Sequence, residues 1–138
     1  MKVPRVVSLF LWQACNNVLP TKENLFKRKI TDDPLCTVCL MEVETAGHAL
    51  WSCTAARDVW VEMSTKTQKN ISEENEFSYI LLRLLDRLEE SEFEKVACIA
   101  QEIWLRRNKL VFEGPFTHPK TVAIIAAEQL DFHLKVSL

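Results

Sequence analysis

Glycine is nearly absent: the 138 residues hold two. So small a supply of residues for tight turns and left-handed backbone disfavours a turn-rich β fold. With 48% of residues hydrophobic, it favours a soluble, mainly helical protein over a disordered chain. Long apolar runs are missing too, none approaching the roughly 18 residues of a membrane span. The run from Val6 to Trp12 is broken by Ser8 and followed by Gln13, Asn16 and Asn17. It has no convincing small-residue cleavage site, so it reads as a core helix and not a signal peptide. No membrane partner is expected, and the expected location is intracellular, nuclear or cytoplasmic, where thiols stay reduced. There is no Ser-His-Asp set, no phosphate-cradling glycine loop, no internal repeat and no low-complexity tract. These absences point away from an enzyme and from a small-molecule substrate.

What the chain does have is a cluster of soft metal donors. Cys36 and Cys39 are separated by two residues, Cys39 and His48 by eight, and His48 and Cys53 by four. A Cys-x-x-Cys turn can aim two thiolates at one point, and a second pair with four residues between its members can supply the other two corners of a closed Cys3His structural zinc site. Competing readings are a redox pair and cysteines buried as small hydrophobes. No strand precedes Cys36 as a thioredoxin-like site would require, and five cysteines leave one over in any disulfide framework. Catalytic zinc is disfavoured because no corner is left for water. Cys15 and Cys98 lie on apolar helical faces and read as buried thiols, and His118 and His133 as solvated side chains.

The net charge of −2 argues against nonspecific nucleic-acid binding by the whole chain, but the charge is divided. Met1 to Ile30 carries +5 and Ser72 to Glu94 carries −6. Lys22, Lys27, Arg28 and Lys29, with Arg106, Arg107 and Lys109 further on, are the candidates for contact with RNA or DNA phosphates. Solvated faces are the plainer account of both runs, and Arg107-Asn108 could instead hold neighbouring backbone.

Helical spacing predicts a first helix after Pro4 with Val3, Val6, Val7, Phe10, Leu11 and Ala14 inward. Thr21 should cap a second helix with Leu25 and Phe26 as apolar contacts. Glu44 to Trp51 should be helical, and Thr54 should cap a helix with Cys53 at the junction. Two longer helices follow, with Phe77, Ile80, Leu81, Leu84, Leu85 and Leu88 on the first. The second runs from about Ser91 to Phe112, with Ser91 and Glu94 in capping-box form. A last helix runs from about Pro119 to Leu134, with Ile125 among its inward residues. All four tryptophans, Trp12, Trp51, Trp60 and Trp104, read as core. The expected architecture is mainly α: a zinc-stapled domain over 1–64, a linker over 65–75 and a helical C-terminal segment over 76–138.

One combination is more specific than any single motif: Phe10-Leu11-Trp12, Leu19-Pro20-Thr21, Asn24-Leu25, Arg28, Cys36-x-x-Cys39, Glu44-Thr45, His48, Cys53 and Val59-Trp60. It resembles the reverse-transcriptase zinc-binding domain of plant LINE-type (non-LTR) retrotransposon polyproteins, over roughly the first 63 residues. Trp104, Arg107, Asn108 and Phe112 resemble a Trp-x-x-Arg-Asn helix that often follows it. The resemblance implies structural Zn2+ on Cys36, Cys39, His48 and Cys53, with RNA or DNA as a partner. It also allows a bridging role between polymerase and ribonuclease H regions of a parent polyprotein, or a non-functional remnant. It does not imply polymerase activity, since Asp32-Asp33 stands in a turn without the flanking aromatic and strand of a polymerase motif.

Overall fold

The computed structural model describes residues 2–63, 76–112, 114 and 116–136; the linker expected over 65–75 lies outside them. Among the described residues are six α-helices: α1 (Arg5–Cys15), α2 (Lys22–Lys27), α3 (Thr54–Trp60), α4 (Phe77–Arg87), α5 (Glu90–Phe112) and α6 (Pro119–Val136). A π-helical turn, His48–Ser52, precedes α3. The only β feature among the described residues is an isolated antiparallel bridge between Leu35 and Val43. No helix of the described residues is long and apolar enough to cross a membrane.

Local chemistry sets the helix ends. The carbonyl of Pro4 accepts from Val7 and Ser8, opening α1, and Asn17 closes it in the left-handed region at φ +55, which asparagine tolerates better than most residues. The Asn24 amide then donates to the carbonyls of Asn17 and Leu19, folding the loop onto α2. Thr21 caps α2 as expected, its Oγ1 accepting from the Asn24 N–H at 3.2 Å.

Contacts at the helix ends fix the topology. The buried Glu94 carboxylate of α5 accepts from the Lys2 backbone N–H, placing the start of α1 beside the start of α5. At the other end Arg107 reaches the Pro20 carbonyl, so α1 and α5 run in the same direction. Helix α4 runs against both: a shared cleft brings Glu76 and Phe77 beside Ala14 and Asn17. Helix α6 turns back along α5, their most extensive packing partner being each other.

One apolar cluster runs through the helices and the cysteine segment, from Val7 and Phe10 through Leu50, Trp51, Trp60, Leu84 and Ile103 to Val122 and Leu130. Trp51 and Trp60 lie with ring centroids 4.6 Å apart, and the Trp60 indole N–H donates to the Leu50 carbonyl at 2.9 Å.

Several expected inward residues face out. Val6, Leu85 and Ile125 are exposed because each sits at the margin of its helix's apolar arc, and Phe26 because α2 buries no residue at all. Trp12 is 59% exposed. Ser91 and Glu94 form no capping box: α5 begins before Ser91, and Glu94 is committed to Lys2. Thr54 is the first residue of α3, and Cys53 occupies the cap position. Leu84→Ala should lower unfolding free energy by about 2–5 kcal/mol, against no more than about 0.5 kcal/mol for Phe132→Ala, which changes a 70% exposed side chain. Denaturant titration compares the two, and equal losses would contradict this assignment of the core.

Candidate metal centre

The bridge between Leu35 and Val43 is the base of a small knuckle. The Cys36 N–H donates to the Glu42 carbonyl at 2.7 Å, and the Glu44 N–H to the Pro34 carbonyl at 3.0 Å. The Leu40 N–H returns to the Cys36 carbonyl at 2.8 Å, with Leu40 itself at φ +61. A non-glycine residue in that region costs roughly 1–2 kcal/mol, and this one closes the turn directly after the second thiol, Cys39. Backbone N–H groups of Cys39 and Val38 point at the Cys36 sulfur.

The second pair comes from the π-helical turn. The Cys53 N–H donates five residues back to the His48 carbonyl at 2.8 Å. On a regular α-helix, residues five apart diverge by about 140°. The wider turn brings them back toward one side, so a His-x4-Cys spacing can converge. Thr45 Oγ1 accepts from the His48 N–H at 3.0 Å and starts the turn.

The donor atoms of Cys36, Cys39, His48 and Cys53 all lie within 4.8 Å of one another. Ligand bonds of about 2.3 Å to sulfur and 2.0 Å to nitrogen give tetrahedron edges of about 3.5–3.8 Å. Cys39 Sγ and His48 Nε2, 3.4 Å apart, already span such an edge. Three thiolates and an imidazole are the soft set suited to zinc, so the residues fit the ion. Cys36, His48 and Cys53 are buried and Cys39 is half-buried. With four protein donors, the site has the closed form of a structural centre.

Electrostatics favour a cation here. Cys53 is pulled down to about 3, first by a hydrogen bond from Cys36, against the effect of burial, and then by His48 and the Ala55 backbone N–H. The same hydrogen bond pushes the Cys36 thiol up. Cys53, with a further contribution from Cys39, draws His48 up to about 9 despite desolvation. The other ring nitrogen, His48 Nδ1, is buried without a hydrogen-bond partner and lies 3.6 Å from a Glu42 carboxylate oxygen, beyond hydrogen-bond reach.

Behind the site stand residues whose part the sequence did not reveal. Glu44 is fully buried; one oxygen accepts from Arg107 Nη2 at 2.6 Å and the Lys22 N–H at 2.8 Å, the other from Arg107 Nε at 3.0 Å. Arg106 donates to the Ala55 carbonyl at 2.9 Å and lies 4.0 Å over the Phe116 ring. Burial lowers its pKa, and the Cys53 charge opposes that shift. Its cation thus lies near a site whose three thiolates and Zn2+ would carry a net −1.

This corrects one expectation: Arg106 and Arg107 are not on a phosphate-facing edge but buried, each 4% exposed, with their donors turned inward. Arg107 also stacks on Trp104 and bonds Asn108, the structural alternative for the Trp-x-x-Arg-Asn arrangement. Of the remaining basic candidates, Lys27, Arg28, Lys29 and Lys109 are exposed and Lys22 is half-buried; Lys27 pairs with Glu23 at 3.6 Å. His118 is exposed, as expected.

Residues 1–60 match the family described as zinc-binding in reverse transcriptase. A putative ribonuclease H protein of Arabidopsis thaliana is 30% identical over 88 residues, a stretch that is 63% of this chain and 14% of that protein. No solved structure matches. Both similarities fit a retrotransposon reverse-transcriptase zinc-binding domain, and the family matched over residues 1–60 is a zinc-binding one.

Cys39→Ser should abolish stoichiometric zinc and lower the melting temperature far more than Cys98→Ser, since metal binding is coupled to folding. Metal analysis by mass spectrometry alongside thermal melting reads both effects, and retained zinc in Cys39→Ser would remove that thiol from the set. Arg107→Ala should cost about 3–5 kcal/mol, because it strands the Glu44 carboxylate in the core. A loss below 1 kcal/mol in denaturant titration would show the ion pair to be dispensable.

Proposed function

We propose, from the similarity of residues 1–60 to the zinc-binding segment of reverse transcriptases, that this chain is a non-catalytic accessory module of a LINE-type element. Zinc held by Cys36, Cys39, His48 and Cys53 fixes the fold, and a basic edge meets RNA or DNA. The supporting observation is the run Lys27-Arg28-Lys29 at the end of α2, exposed at all three positions. That edge is anchored to the knuckle through Glu44, which takes the Lys22 N–H on its carboxylate and the Glu23 N–H on its carbonyl. In this reading residues 1–64 carry the metal and the phosphate contacts, and residues 76–138 brace them.

A second reading is an interaction domain bridging polymerase and ribonuclease H regions of a longer protein. It draws on the outward apolar side chains of α1 and α4 and on the name and length of the Arabidopsis relative.

The two separate in a titration of labelled single- and double-stranded RNA and DNA across salt concentrations. The first reading expects affinity to fall steeply with salt. Replacing Lys27, Arg28 and Lys29 by Ala should then reduce the log–log slope by about two to three, while leaving zinc content unchanged. Absence of binding at low salt, or a slope the triple replacement does not change, would rule out the basic edge.

A further inference from the structure

Helix α1 is apolar on nearly every side: between Arg5 and Cys15 only Arg5, Ser8 and Gln13 are polar. A helix of that composition is ordinarily buried all round, yet here only one face is covered, by Val7, Phe10, Leu11 and Ala14. On the uncovered side Val6, Leu9 and Trp12 stand 54%, 55% and 59% exposed. They are three residues apart, so they form one row. The neighbouring helix α4 repeats the arrangement, with Tyr79, Leu82 and Leu85 at 60%, 61% and 53%. Six such side chains amount to something on the order of 500 Å², at the upper end for the largest apolar patch on a monomer. That approaches the roughly 800 Å² per partner of a stable interface.

We propose that this face is a self-association surface, on which α1 and α4 of one chain pack against α4 and α1 of a second copy. Because α1 and α4 are antiparallel neighbours, a two-fold axis along the helices lays α1 over the copy's α4, again antiparallel. That makes an isologous four-helix arrangement. The charges at the ends match it. Lys2 precedes α1 and Arg5 opens it, and the helix carries no acid, while the exposed Asp86 follows the outward row of α4, with Glu89 and Glu90 beyond it. Under the two-fold, Arg5 stands opposite the copy's Asp86. An axis across the helices would instead set α1 antiparallel on the copy's α1, with Arg5 opposite the uncharged end at Asn16 and Asn17 and no acid to meet it.

Sedimentation equilibrium of the zinc-loaded chain from about 1 to 100 µM is the test. A reversible dimer is expected, and Leu9→Glu with Leu82→Glu should weaken it at least tenfold without changing the circular dichroism, since both side chains already face water. Arg5→Glu should weaken it several-fold and Asp86→Arg in the same chain restore it, which reads the orientation even if the glutamate pair perturbs folding. A monomer across the whole range would overturn the proposal and leave the face for a different partner. So would a dimer that neither pair of substitutions affects. None of these outcomes depends on nucleic-acid binding.

Discussion

Glu44 and Arg107 form the contact on which the arrangement of the whole chain depends. Their charges are buried together, and the hydrogen bonds around them reach three parts of the chain: the knuckle that supplies Glu44, the first turn of α2 through Lys22, and the far end of α5. Burying two charges is costly, and such a pair often adds little net stability over an apolar substitute. What it adds here is position. Helix α2 buries no side chain, so apolar packing alone would leave its placement loosely defined. The directional demands of a carboxylate and a guanidinium fix it.

Helix α5 also bears on the charge of the metal set. A Cys3His centre keeps a net negative charge in a largely buried place, and Arg106 supplies a cation one residue before the one that locks the knuckle. Two adjacent arginines thus face two different anions, one carboxylate and one thiolate cluster. This division explains why the basic pair is unavailable to phosphate. Of the basic residues singled out from the sequence, it leaves Lys22, Lys27, Arg28, Lys29 and Lys109 with some exposure to solvent.

The donor set was legible from spacing because two short intervals, Cys-x-x-Cys and His-x4-Cys, each constrain local geometry. Thr21 and Pro4 marked helix starts through chemistry that acts within one turn. The outward residues were harder to assign. In α1, where eight of eleven residues are apolar, periodicity cannot say which arc is covered, and Val6 and Trp12 read as inward from sequence while the fold leaves them exposed. From sequence, Glu44 stands only at the start of an expected helix and within the family resemblance, and Arg106-Arg107 on a basic helix edge. Their burial depends on each other across 63 positions of sequence, a distance over which a pattern carries no signal without the fold. Only the Trp-x-x-Arg-Asn arrangement hinted that Arg107 might serve the backbone and its neighbours.

The burial of Arg107 bears on what counts as a unit. The family match ends at residue 60, but the cation that neutralises Glu44 lies 47 positions later. A truncation cut at the homology boundary would leave the knuckle with an unpaired carboxylate at its base and the backs of Trp51 and Trp60 without their cover. The stretch that identifies the chain is shorter than the stretch that must fold together, and any transplant of this motif has to carry the distant helix with it.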